Sequence, residues 1–80
     1  MFYSYVIKSK EFDFFYKGHC EDLDRRIKEH NSGMTSSIKK FSPFELVYFE
    51  EFENREQAIA REKYFKSAAG RRYLKKKLAP

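Results

Sequence analysis

Tryptophan is absent from this sequence, and cysteine, proline and glycine are scarce. The single cysteine, Cys20, excludes an internal disulfide framework and any multi-cysteine zinc site. Only His19 and His30 could join it, which is too few ligands for a structural zinc. No apolar run reaches membrane-spanning length, and the first residues lack the pattern of a secretory signal. A cytoplasmic protein is therefore the expectation. Internal repeats, long linkers and low-complexity tracts are also missing. Eighty residues leave room for one core, so 1–80 is expected to form one domain.

What is present is aromatic and basic. Nine Phe and six Tyr, 19% of the chain, supply a small core from a few bulky groups. Seventeen Lys and Arg stand against twelve Asp and Glu, a net charge of +5. That balance points to an anionic partner, with nucleic acid the commonest for a small basic domain, although ordinary surface charge would read the same.

Phe2 to Lys8 alternates bulky groups and reads as a strand, and Phe12 to Lys17 is a second β-prone run that Gly18 ends. A helix begins near Glu21 or Asp22, with acidic residues favouring its first turn, and Asn31-Ser32-Gly33 stops it. Met34 to Pro43 reads as a basic loop, and Phe44 to Phe52 as the third strand. Asn54-Arg55-Glu56-Gln57 has the form of a capping box opening a helix to about Lys66. Gly70 then separates a short basic helix, Arg71 to Leu78. The order β-β-α-β-α-α predicts an α+β fold: a small three-stranded antiparallel sheet flanked by helices.

Two helices carry ionic groups within an apolar stripe. Leu23, Ile27 and His30 follow core-facing spacing, and Arg26 falls inside that stripe. In the later helix Glu62 sits near the middle of an arc formed by Ala58, Ile59, Phe65 and Ala69. An unpaired buried charge costs several kcal/mol, so such groups are paired, metal-bound or at the rim of a cleft. A structural Glu62–Arg26 ion pair and a functional site weigh evenly on spacing alone. In the hairpin, Tyr5 directly opposite Tyr16 would leave Lys10-Glu11 as the loop and put both tyrosines on one face. A tyrosine pair on a strand is more often core than catalytic.

Tyr16-Lys17-Gly18 resembles the second half of the GIY-YIG signature, with Lys for Ile. Tyr3-Ser4-Tyr5 stands where the first half belongs; its tyrosine is kept and Tyr3 replaces its glycine. The stretch Asp22 to Gly33, with its Arg and His, resembles the family's first helix. Leu46 to Phe52 resembles its third strand, and Ala58 to Lys66 the helix bearing its metal-binding Glu. No asparagine follows the last helix, where larger family nucleases carry one. The likeness covers nearly the whole chain, and the ordered set is more specific than any one motif. It is most similar to the small stand-alone bacterial branch, which also resembles the N-terminal nuclease domain of the UvrC repair protein.

The resemblance implies phosphodiester hydrolysis in DNA, with RNA and branched DNA as further candidates. Glu62 would hold one Mg²⁺ or Mn²⁺, a single carboxylate suiting an ion that keeps several waters. Arg26 would clamp the non-bridging phosphate oxygens. Tyr5 or Tyr16 would act as general base, and His30 would orient a tyrosine or relay its proton. Lys17, Lys39, Lys40, Arg71 and Arg72 are candidate backbone contacts. Lys75-Lys76-Lys77 reads as a weaker case, a solubilising tail. Cys20 reads as a small residue at a helix start, and His19 receives no role. Tyr5, Tyr16, Arg26, His30 and Glu62 are expected on one concave surface, with the basic loop at Met34 to Pro43 along its edge, and a Glu62 on the opposite side of the sheet from the tyrosines would end the nuclease reading. A partner protein or structure-selective recognition would supply targeting. The other readings are a catalytically inactive nucleic-acid-binding domain of the same fold and a protein-interaction module with a buried Glu62–Arg26 pair.

Overall fold

Strand β1, Phe2–Ser9, lies at the centre of the sheet because both its faces are apolar: Tyr5 and Ile7 on one, Val6 on the other, all buried. In the computed structural model, which describes residues 1–79, it is flanked by β2 (Phe15–Cys20) and β3 (Phe44–Phe52), both antiparallel to it, in the order β2-β1-β3. Helix α1 (Leu23–Asn31) and a 3-10 helix (Ser36–Phe41) join β2 to β3. Helices α2 (Arg55–Lys66) and α3 (Ala68–Lys77) follow. This is the expected α+β order with a 3-10 helix added. The basic stretch from Met34 to Pro43 is therefore not a plain loop: Ile38 buries itself in the core and fixes it there.

The hairpin register differs from the expected one by two residues. Tyr5 pairs with Gly18 and Ile7 with Tyr16, so β2 runs from Phe15 to Cys20 and Gly18 lies inside it. The Ser9 hydroxyl is the cause. It accepts from the backbone N–H of Glu11 (3.2 Å) and of Phe12 (3.0 Å), while Ser9 N–H donates to the Phe14 carbonyl at 2.9 Å. These bonds close a longer turn, Lys10 to Asp13, than two residues would make. A shift of two keeps every side chain on its face, so Tyr5 and Tyr16 still share one side of the sheet.

Two apolar clusters result. Tyr5, Ile7, Ile38 and Phe44 form one, covered by Leu23 and Ile27 of α1. Val6, Phe65 and Leu74 form the other, beneath α2 and α3. Asn31 ties α1 to β3: its side-chain amide donates to the Phe44 carbonyl at 3.1 Å and accepts from Phe44 N–H at 2.6 Å. Gly33 follows the helix at φ +83°, the left-handed conformation that favours glycine. On the other face, the buried Ser4 hydroxyl donates to the Ala58 carbonyl at 2.6 Å and pins α2 against β1.

Asn54 caps α2, its Oδ1 accepting from Gln57 N–H at 2.9 Å. The break before α3 falls at Ser67, not Gly70. The Ser67 hydroxyl accepts from Gly70 N–H at 3.1 Å, starting α3 directly as α2 ends. Gly70 lies inside α3 because a Cβ there would stand 1.7 Å from the Tyr64 carbonyl oxygen. Its role is close approach between helices. No helix among the described residues is long and apolar enough to cross a membrane.

Candidate active site

On the α1 side of the sheet, the Tyr5 hydroxyl lies 2.8 Å from His30 Nε2, and His30 Nδ1 lies 2.9 Å from the Thr35 hydroxyl. Tyr5 is 1% exposed and His30 fully buried, so their contact is sealed within the core, while Thr35 at the far end of the chain is half-buried. Burial holds the Tyr5 phenol far above its ordinary value, although the Arg26 guanidinium beside it pulls the other way. Burial, then repulsion from Arg26, lowers the His30 pKa. The neutral imidazole has one donor and one acceptor nitrogen, and the two hydroxyls complete both. The Tyr16 ring stands edge-on to His30 at 5.1 Å between centroids and 6.5 Å from Tyr5. Its hydroxyl has no hydrogen-bond partner among the described residues. No buried polar side-chain atom there lacks one, so the Tyr16 hydroxyl reaches solvent.

Gly18 is required by this packing. A Cβ at that position would stand 2.5 Å from the Tyr5 hydroxyl. The tyrosine ring of the first signature half thus lies across the glycine of the second.

Arg26 projects from α1 at the margin of this cluster. Its guanidinium donates to Glu29 Oε1 at 3.0 Å and also approaches the Tyr5 hydroxyl. Glu62 is elsewhere. Its Oε1 lies 2.7 Å from His19 Nδ1, and its Oε2 accepts from Lys66 Nζ at 2.7 Å. The side chain is 17% exposed, and its carboxyl lies below the usual range. Burial would raise it, but the hydrogen bonds from Lys66 and His19 prevail.

Two expectations are corrected here. Glu62 and Arg26 are not an ion pair: Arg26 pairs with Glu29, and Glu62 with His19 and Lys66. Nor do the five residues share one face. Ser4 pairs with His19 and Tyr5 with Gly18, so strand alternation sends His19 and Tyr5 to opposite sides. Helix α2 covers the Ser4 side, and Glu62 goes with it. Helical spacing identified Ala58, Ile59 and Phe65 on the inward side of α2, whereas Ala69 lies exposed in α3, and it carried no information about which face of the sheet that stripe would cover.

The two halves still meet at a corner. Because β2 is an edge strand, a cleft of about 310 Å³ wraps the end of it, where β2 turns into α1. Arg26 lines this cleft from one side and His19, holding Glu62, from the other. Cys20, Glu21, Asp22, Arg25, Glu29 and Arg55 complete the wall. His19 and Lys66 are the residues that sequence reasoning missed. Lys66 could have been found as the i+4 partner of Glu62 on the helix surface. His19 had no local signal, because its contact spans 43 positions.

The basic candidates divide in the same way. Lys39 and Lys40 are exposed on the 3-10 helix, on the α1 side. Lys17 faces α3 beside Arg71, on the α2 side, with Arg72 exposed next to it. Among the described residues no three His, Cys, Asp or Glu cluster to cage a metal. The donor chemistry nevertheless fits a hydrated Mg²⁺ or Mn²⁺. Glu62 is one carboxylate, and its Oε2 is closed only by the exposed Lys66 head group.

Residues 1–77 match the family described as the GIY-YIG catalytic domain, and the chain belongs to that family. Its relatives include small bacterial proteins. The UPF0213 protein CPE1444 of Clostridium perfringens is 42% identical over 67 residues, 82% of this chain and 71% of the relative. The UPF0213 protein SSP2268 of Staphylococcus saprophyticus is 34% identical over 74 residues, 91% of this chain and 89% of the relative. The solution NMR structure of the UPF0213 protein BH0048 from Bacillus halodurans is similar over the whole of this chain and 89% of that one, with 33% identity and a TM-score of 0.57. Membership in this catalytic-domain family supports a nuclease, with nucleic acid as its substrate.

Proposed function

We propose that residues 1–80 form a single divalent-metal-dependent endonuclease domain, cytoplasmic, that hydrolyses phosphodiester bonds in DNA at the corner between β2 and α1. The observation that carries this is the shared cleft. Arg26 and His19 line it together, and the Glu62 carboxylate stands behind His19, bonded to it, so a cation and a histidine-held carboxylate flank a space large enough for a phosphate.

In this reading Arg26 binds the non-bridging oxygens, its planar fork offering two donors to one phosphate once it releases Glu29. Tyr16 is the general base, because its hydroxyl meets solvent whereas that of Tyr5 is buried against His30. Tyr5, beside the Arg26 guanidinium and held by His30, fixes the position of Arg26. Glu62 would hold the Mg²⁺ or Mn²⁺, with His19 orienting the carboxylate and Lys66 swinging into solvent. Held there, such an ion would supply charge stabilisation for the departing 3′ oxygen. Lys39 and Lys40 on one flank, and Lys17, Arg71 and Arg72 on the other, contact backbone phosphates. A partner protein or the shape of a branched substrate provides targeting.

One observation favours a second reading, a catalytically inactive nucleic-acid-binding domain of the same fold. Glu62 lies on the opposite side of the sheet from both tyrosines, with each oxygen already bonded. The test is a cleavage screen with Mg²⁺ and with Mn²⁺ over supercoiled plasmid, linear duplex, branched DNA and RNA. The nuclease predicts metal-dependent nicking of at least one form. Salt-sensitive binding without cleavage of any form would establish the inactive binder instead.

A further inference from the structure

A second cavity, of about 490 Å³, lies between the sheet and α3 and shares no lining residue with the corner cleft. Val6 and Leu74 form its floor, and Phe15 and Leu78 its sides. Its volume falls within the roughly 300–1,000 Å³ usual for small-molecule sites, which are mostly apolar with a few placed polar groups. Here every charged group is a cation. Lys17 and Arg71 lie at the mouth with Lys75 beyond them, and none of the three has a carboxylate within ion-pair distance among the described residues.

We propose that this cavity binds an amphipathic organic anion, an apolar body bearing one carboxylate or phosphate, with the head group between Lys17 and Arg71 and the body on Val6, Phe15, Leu74 and Leu78. The lining side chains offer hydrogen-bond donors and no acceptors. A ligand with donor groups along its body, such as a nucleoside with its amines and hydroxyls, would leave them unsatisfied against hydrocarbon. A hydrocarbon with a single anionic head leaves none. The cations are also in mutual conflict. Burial, then repulsion from Arg71 and Lys66, lowers the Lys17 ammonium pKa. An anion at the mouth relieves that repulsion and gains charge-assisted hydrogen bonds from both head groups. Occupancy would also withdraw Lys17 and Arg71 from the phosphate-contacting flank. The site itself binds whether or not the chain cuts DNA.

The test is a titration of the full chain with decanoate, decyl phosphate and the neutral control decanol, followed by amide and methyl NMR shifts. Saturable shifts at Val6, Phe15, Leu74 and Leu78 are expected with at least one anion. Decanoate alone, decyl phosphate alone or both together identify which head group the site accepts. Decanol should bind about tenfold more weakly or worse, as expected for losing one charge-assisted bond. Lys17→Met, which keeps the apolar stem, and Arg71→Gln, on an exposed helix surface, should each weaken the anion by a similar factor. Decanol binding as tightly as the anions, shifts confined to His19 and Arg26, or both variants binding at parental strength would overturn the proposal.

Discussion

His19 Nδ1 lies 2.7 Å from Glu62 Oε1, and this contact joins the edge strand β2 to α2 across 43 residues of sequence. It sets the position of the carboxylate that the family resemblance singles out. Strand alternation places His19 on the side of the sheet away from Tyr5 and Tyr16, so Glu62 can reach the tyrosine side only around the end of β2. The location of β2 at the sheet edge allows that path, because no further strand among the described residues closes the corner. Arg26 meets His19 there. A reacting phosphate would therefore sit at the end of the strand rather than on either face.

The two tyrosines should respond differently to removal of their hydroxyls. Tyr16→Phe removes a group that has no protein partner among the described residues, so the melting temperature should change by no more than a few degrees while cleavage disappears. Tyr5→Phe leaves a buried His30 nitrogen unpaired, costing about 1–3 kcal/mol. Thermal unfolding and plasmid nicking of both variants are the measurements. A Tyr16→Phe protein that nicks at the parental rate would remove Tyr16 as the base.

Gly70→Ala tests the packing of α3 on α2. The added Cβ would stand 1.7 Å from the Tyr64 carbonyl oxygen and 2.7 Å from Phe65 Cα, both backbone atoms that cannot rotate away. Overpacking of this kind costs about 3 kcal/mol, enough to lower the melting temperature by on the order of 10 °C in so small a domain. An unchanged melting temperature would show that the helices do not meet at this closeness.

Particular residues show how far the sequence could be read. β3 was legible to the residue, because Pro43 marks its start and bulky groups fill it, and α2 was legible from Asn54 to Lys66. The α3 boundary was misplaced because glycine reads as a breaker, whereas Gly70 serves a close approach that no local pattern reveals. The hairpin was misregistered because Ser9 bonds the turn through its side chain, a choice that strand propensity does not encode. In the candidate site, Tyr5, His30 and Arg26 do gather, since each lies on a readable stripe facing the same core. Glu62 does not join them on that face. Which side a helix covers is decided by tertiary packing, here by the Ser4–Ala58 bond and the packing of Phe65 on Val6.

The basic 3-10 helix makes a prediction about affinity. Lys39 and Lys40 are exposed, and neither is held in an ion pair among the described residues. Replacing both with Ala should weaken DNA binding to a similar degree for all sequences. It should also reduce the slope of log affinity against log salt by about one unit for each phosphate no longer neutralised. Binding measured across a salt series on two unrelated duplexes tests this. A slope equal to that of the parent would show that these lysines do not touch the backbone.

Glu62→Gln separates chemistry from folding. The carboxylate is paired with His19 and with an exposed Lys66, so the interactions removed are each worth less than about 1 kcal/mol, and the amide can still bond to both partners. No guanidinium is stranded, since Arg26 is neutralised by Glu29. The variant should therefore unfold within a few degrees of the parent. The depressed Glu62 carboxyl implies a matching pH signature. Its folded pKa lies below the unfolded value, so the parent carries a small stabilisation above that unfolded value, lost as pH falls through the folded one. Glu62→Gln should lack this increment, and the two unfolding curves should converge at acid pH. Cleavage should disappear, because an amide oxygen is a poor ligand for Mg²⁺. DNA binding should hold or tighten with one negative charge removed beside the cleft. A stable Glu62→Gln protein that still cuts DNA at the parental rate would show that Glu62 serves only to fasten β2 to α2.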